Sequence, residues 1–315
     1  MKKINQLLEK EKIEIPLLVS QVTQGVTTSG APYLSVVFQD KSGSIDGKLW
    51  DVKDDQATLI KPGKILTVVG EVLRYRSSLQ LRIHSVLSTN DQFEISDFIE
   101  ETNVPIEHLK EKVNSTVNSL EDDIIRGITK AILEKYENEF YEYPAASKNH
   151  HDFKGGLATH VVAMIEIGEF TLSKYPILNR DLLMAGIILH DIGKVFELSG
   201  PILTEYTLKG KLLGHISMIN SLIHEVAVKN DWVNQEQTIL LSHMVLSHHG
   251  QYEYGSPVLP MLAEAEVLNI IDNLDARLNM FDKLYETTDP QTFSARVFSL
   301  ENRSFYRMKQ NDWIY

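Results

Sequence analysis

The sequence predicts a multidomain chain in which a small all-β barrel is followed by an all-α body. Three observations carry this. Between residues 13 and 87, short runs of β-branched and aromatic residues alternate with turn signals. Beyond residue 105, apolar residues recur at spacings of three and four, the period of helices that bury one face. Ten of the 11 histidines fall in that second part, and only His84 falls in the first.

Strand character is strongest in Leu17–Val22, Tyr33–Phe38 and Ile65–Val69. Turn chemistry separates the runs at Thr28-Ser29-Gly30, Asp40-Lys41-Ser42-Gly43 and Lys61-Pro62-Gly63. About five short strands in so short a stretch suit a small barrel. Polar residues follow from Ser88 to Gln92 and read as the start of a linker. Helices are expected over 109–117, 120–133, 157–170, 182–192, 216–228, 239–247 and 261–280. The expected boundaries are 1–90 for the barrel, 91–105 for the linker, 106–300 for the helical body and 301–315 for a C-terminal tail.

Composition narrows the chemistry. The chain has no cysteine, which excludes disulfide scaffolds, thiolate metal sites and cysteine nucleophiles. Any metal must therefore be held by His, Asp and Glu. The basic start MKKINQLLEKEK leads into no apolar signal core, and no run approaches the roughly 18 apolar residues of a membrane span. A cytoplasmic location and no membrane partner are expected. The net charge of −12 is unevenly spread. Residues 1–90 carry 12 Lys/Arg against 9 Asp/Glu, while the remainder carries 19 against 34. A mildly basic front joined to a carboxylate-rich body suits a nucleic-acid-binding module attached to a metal-using one.

Five places in the body offer imidazole or carboxylate in an apolar helical setting. They are His160, the pair His190-Asp191 after Gly186-Ile187-Ile188-Leu189, His215, the pair His248-His249, and Asp272. One histidine on an apolar helix face is ordinarily a hydrogen-bonded core residue. A carboxylate in the setting of Asp191 is costly unless it is paired or metal-bound. Adjacent helix residues point about 100° apart, so His190 and Asp191 can flank one ion. Five such sites, one per helix, suit a hard-to-borderline divalent ion.

The order H…HD…H…HH…D resembles the HD superfamily of metal-dependent phosphohydrolases. The stretch Phe38–Trp50, with Pro62-Gly63-Lys64 and Gly70-Glu71-Val72 after it, resembles the centre of a nucleic-acid-binding OB-fold. Asn149–Leu157, Ser247–Pro257 and Glu264-Ala265-Glu266 leading to Asp272–Ala276 bring the chain close to one branch, the YhaM-type 3′→5′ exoribonucleases. These also set an OB-fold before the HD domain, so the resemblance spans nearly the whole chain.

It implies a first metal site of His160, His190, Asp191 and Asp272, with Asp191 bridging. A second would take His215 and His248, with His249 as a further ligand or phosphate contact. Asp275, one turn after Asp272, is expected to support the ligands. Mn²⁺ is the implied ion, in pairs as in the two-metal phosphodiesterases of the superfamily, and metal-activated water the implied nucleophile, attacking phosphodiesters of single-stranded RNA, with DNA left open. Asp191 and Lys194 are the expected catalytic residues, Lys194 neutralising charge on the phosphate. His150, His151, Lys154, Tyr254 and Ser256 are expected to hold substrate phosphates. On the barrel, Lys48, Trp50, Arg74, Tyr75, Arg76 and Arg82 interleave bases with aromatics as a strand-binding surface. The segment Glu301–Tyr306 suits a homo-oligomer. Rival readings are a nucleotidohydrolase, which has no need of the barrel, and a cyclic-dinucleotide phosphodiesterase, whose Gly-Tyr-Pro signature is missing after His249. A non-catalytic RNA-binding adaptor is disfavoured because every ligand position is filled.

Overall fold

The computed structural model describes residues 2–27, 30–75, 78–89, 93–146, 151–201 and 204–309. Arg76 and His150 lie outside the described residues. The chain divides into two compact units, residues 1–101 and 102–315.

The first unit is a closed five-stranded barrel. Its strands are β1 (Lys12–Val26), β2 (Pro32–Asp40), β3 (Gly43–Trp50), β4 (Ile65–Tyr75) and β5 (Ser78–Ser88), in the order β1-β2-β3-β5-β4 with β1 pairing β4 to close it. All pairings are antiparallel except β3 with β5. The period of two puts Leu34, Val36 and Phe38 of β2 inside, beside Leu17, Val19, Leu49, Val68, Val72 and Leu81. Each such side chain contributes about 1.5–3 kcal/mol by leaving water. Between β3 and β4 lies a short helix, α1 (Asp54–Leu59), which six polar-rich residues do not announce.

The expected linker is in part packed structure. A 3-10 turn at Ile95–Phe98 carries Phe98 and Ile99 onto Leu18, whose side chain faces away from the barrel interior, and the three form a small separate cluster. Apolar residues in a segment that begins polar thus find a partner that pattern reading does not supply.

The second unit is helical: α2 (Ile106–Asn118), α3 (Asp123–Lys135), α4 (Glu137–Glu142), α5 (Gly156–Lys174), α6 (Arg180–Leu189), α7 (Lys194–Glu197), α8 (Leu208–Lys229), α9 (Glu236–Ser247) and α10 (Ala263–Thr287). One core runs through it, including Ile128, Leu157, Ile165, Leu183, Ile187, Ile219, Ile223, Leu241, Met244 and Leu268. Every residue of α6 from Asp181 to Leu189 is buried, the expected fate of a helix apolar on all sides. Among the described residues no helix is long and apolar enough to cross a membrane.

Three boundaries differ from the sequence expectation. The α6 helix stops at Leu189 rather than Ile192, because the chain turns through 190–193 before α7. The α8 helix begins before Ile216, bends at Gly214 (φ 71, ψ 153), and so includes His215. The expected tail is folded back: Phe293 bridges Tyr306 and Val297 bridges Arg303. The Arg307 guanidinium then donates to the carbonyls of Tyr285 and Thr288, satisfying acceptors left open at the end of α10.

Candidate metal centre and nucleic-acid surface

The two helices α6 and α9 end in the same way and face the same place. His190 follows the last residue of α6, and its Nδ1 donates to the Ile187 carbonyl at 2.8 Å. His248 follows the last residue of α9, and its Nδ1 donates to the Val245 carbonyl at 2.7 Å. Each ring closes an orphan carbonyl at a helix end, which fixes its tautomer and leaves Nε2 to face the site. The carbonyl ends of both helices carry partial negative charge, which favours a cation there.

Asp191 lies between the two rings with its carboxylate split. Its Oδ2 lies 3.3 Å from His190 Nε2 and 4.0 Å from His160 Nε2. Its Oδ1 lies 3.4 Å from His215 Nε2 and 3.8 Å from His248 Nε2. Asp272 Oδ1 lies 3.2 Å from His160 Nε2. Ligand atoms of His160, His190 and Asp272 form one group within 4.8 Å, and those of His215, His248 and His249 form another. Thus each oxygen of Asp191 faces one group.

The donor set fits a metal. His190 Nε2, Asp191 Oδ1, His215 Nε2 and His248 Nε2 are buried and have no hydrogen-bond partner among the described residues. Buried polar atoms are normally paired, so several partnerless donors aimed at one point fit the coordination of a cation. The charge states agree. Burial would raise the Asp191 carboxyl, but Lys194 and His190 outweigh it and hold the group well below its usual range. Burial presses His248 well below the usual imidazole value, and it lowers His249 too. Ionised carboxylate and neutral imidazole are the ligating forms. Burial works to lower His160 as well, yet Asp272 and Asp275 win and push it up to about 9, so a cation competes with a proton at that ring.

Lys194 Nζ lies 2.6 Å from Asp191 Oδ2, and this buried pair raises the lysine above its ordinary value despite burial. Lys194 also lines a cleft of about 450 Å³, together with Glu197, His215, His249, Tyr254 and Asp272.

Several residues depart from the sequence expectation. His151 is 4% exposed and does not face solvent as a phosphate contact would. Its Nε2 lies 2.8 Å from Asp275 Oδ2, and its main-chain N–H donates to Asn279 Oδ1, so it braces α10. Ser256 is buried, and neither it nor Lys154 is among the cleft-lining residues. Tyr254 lines the cleft, and its carbonyl accepts from His249 Nδ1 at 2.6 Å, which ties that ring to the cleft wall. His190 and Asp191 flank the site from a turn after α6, not from within a helix.

Sequence reading missed Glu197, which accepts from His215, and Asn269, whose amide donates to the His248 carbonyl at 2.7 Å. It also missed Tyr206 at the cleft. Glu197 lies six residues after Asp191, a spacing to which no simple period of the helix draws notice.

On the barrel, register gathers an outer face of β2 and β3. Tyr33 pairs with Trp50 and Ser35 with Lys48, while Lys48 pairs with Arg82 across β3 and β5. The Tyr33 and Trp50 rings are 5.0 Å apart, and Trp50 is 46% exposed. Lys48 Nζ lies 5.0 Å from the Tyr33 ring centroid and donates to Ser35 Oγ. Arg82 is exposed on the same face, whereas Arg74 is engaged by Glu9 at 2.9 Å. Tyr75 is exposed at the end of the β4–β5 hairpin. Tyr33 is the member of this face that sequence reading left out; only the register reveals it.

Fold and site define the class: an OB-fold barrel joined to an HD-type, metal-dependent phosphohydrolase body. Residues 18–88 match the OB-fold nucleic acid binding domain and residues 157–277 match the HD domain. The chain belongs to the family of YhaM 3′-5′ exoribonucleases. It is 46% identical over 299 residues to the 3′-5′ exoribonuclease YhaM of Geobacillus sp. (strain WCH70), covering 94% of this chain and 92% of that protein. Among solved structures, the second OB-fold domain of replication protein A from Methanococcus maripaludis matches 30% of this chain and 98% of that domain, at 24% identity and a TM-score of 0.25.

Proposed function

We propose that this chain is a metal-dependent nuclease that shortens single-stranded RNA from its 3′ end by hydrolysing phosphodiester bonds. The observation that carries it is the buried Asp191, flanked on each oxygen by a histidine group and paired with Lys194, which lines the cleft. The polarity and the ribonucleotide substrate come from the named relative. The barrel tells against a hydrolase of free nucleotides, which has no use for a strand-binding face.

His160, His190, Asp191 and Asp272 would hold one ion, and His215, His248 and His249 a second, with Asp191 shared. Mn²⁺ suits this mixture of nitrogen and oxygen donors. When bound, such ions lower the pKa of water toward neutrality and offset charge on phosphate oxygens. The protein supplies the rest. The backbone-tied rings of His190, His248 and His249 hold ligand positions without reorganisation. Lys194 holds positive charge at the cleft wall where a phosphate oxygen gains negative charge. Asn273, Tyr206 and Tyr254 line the same cleft and offer an amide and two rings to the terminal nucleotide.

The test is incubation with 5′-labelled single-stranded RNA and Mn²⁺, beside a chelator control and the same strand in DNA. A ladder of labelled products shortening from the 3′ end, absent with chelator, is expected. RNA left intact in every lane overturns the reading and turns attention to small nucleotides. The barrel face gives a separate prediction. Losing one base-stacking ring costs about 1–3 kcal/mol, so Trp50→Ala should raise KM for RNA about tenfold and change kcat little. A KM unchanged in steady-state kinetics removes that face from substrate binding.

A further inference from the structure

We propose that Glu197 and Asp275 are positioning residues that divide the metal centre between them, each setting the affinity of one ion and not of the other. This rests on the two-ion reading above.

The ligand histidines are braced in two different ways. His190, His248 and His249 donate from Nδ1 to main-chain carbonyls, which are neutral acceptors. Two other rings are backed by carboxylates. His160 Nδ1 lies 2.6 Å from Asp275 Oδ2, and His215 Nδ1 lies 3.0 Å from Glu197 Oε2. His160 belongs to the group with His190 and Asp272; His215 belongs to the group with His248 and His249. Each group therefore contains one imidazole with an anion behind it. A carboxylate behind an imidazole fixes the ring and raises the basicity of the nitrogen that faces the ion, which a carbonyl does less well.

The two carboxylates sit in separate parts of the fold. Glu197 is 8% exposed, at the end of α7. Its other oxygen, Oε1, accepts the main-chain N–H of His215 at 3.2 Å. It therefore grips both ring and backbone of the residue that follows the bend at Gly214. Asp275 lies on α10, and the same oxygen that holds His160 is also within 2.8 Å of His151 Nε2.

The experiment is calorimetric titration of the full chain with MnCl₂, comparing wild type with Glu197→Gln and Asp275→Asn, each close to isosteric. Wild type is expected to bind two ions in resolvable phases. Glu197→Gln should weaken one phase by about 10–100-fold and leave the other, and Asp275→Asn should do the converse. Glu197→Asp, which keeps the charge, should recover part of the loss and serves where Glu197→Gln does not fold, as read by thermal melting. Hydrolysis of bis(4-nitrophenyl) phosphate should follow: each variant needs more Mn²⁺ but regains most of its kcat at saturation. Two ions bound with both phases weakened alike in each variant, or with neither weakened, would overturn the division while leaving the two-ion reading intact. A stoichiometry of one ion in wild type sinks the two-ion reading itself, and this inference with it.

Discussion

Asp191→Ala is expected to lower kcat for RNA by more than about a thousand-fold, because an ion-held transition state is worth several kcal/mol and about 4 kcal/mol equals that factor. Its carboxylate reaches both histidine groups: Oδ2 faces His190 and His160, and Oδ1 faces His215 and His248. The substitution should also cost stability, since it strands the Lys194 ammonium 2.6 Å from where its partner stood. Breaking a buried pair costs about 3–5 kcal/mol, and the low end is expected because Asp272 and Glu197 still act on that lysine. The checks are single-turnover kinetics and a denaturant melt. Activity within tenfold of wild type would remove Asp191 from the centre of the chemistry.

The second large effect is expected from Gly193, which touches no ligand through a side chain. A Cβ there would lie 2.2 Å from the His215 carbonyl oxygen and 2.8 Å from its carbon. Those are main-chain atoms and have no rotamer into which to retreat. Gly193→Ala must therefore pry the turn that carries Asp191 away from the backbone of His215. The separation of Asp191 Oδ1 from His215 Nε2 is 3.4 Å, and a displacement of about 1 Å is enough to cost roughly 100-fold in rate. Overpacking adds about 1–3 kcal/mol of lost stability. Gly214→Ala makes the contrast: among the described residues beyond its chain neighbours, no atom lies within 4 Å of the added Cβ, but a φ of +71 strains the backbone by about 1–3 kcal/mol. Comparing kcat and Mn²⁺ affinity of the two separates crowding from torsion. A Gly193→Ala enzyme with wild-type kcat would show that the turn and α8 are free to part.

What the sequence determined by itself was local. Strand alternation in Leu34, Val36 and Phe38 reports one buried face, and the unbroken apolar run of α6 reports burial on all sides. The carboxylate of Asp191 at the end of that run is costly without a partner, and so it marks a site before any fold is known. Motif order then supplied the candidate ligand positions His160, His190, His215, His248, His249 and Asp272. Short elements such as α1, α4 and α7 escaped because four to six residues hold too little period to read. The tertiary structure decided which atoms meet. Periodicity tells which face of an element is buried but not which other element it meets, so His151 against Asp275, Glu197 behind His215 and Tyr33 beside Trp50 were not legible. Nor was the closeness of Gly193 to the His215 carbonyl, which depends on how a four-residue turn crosses a bent helix. Chain pattern records the cost of leaving water, residue by residue, whereas convergence of ligands is set by crossings between segments far apart in sequence.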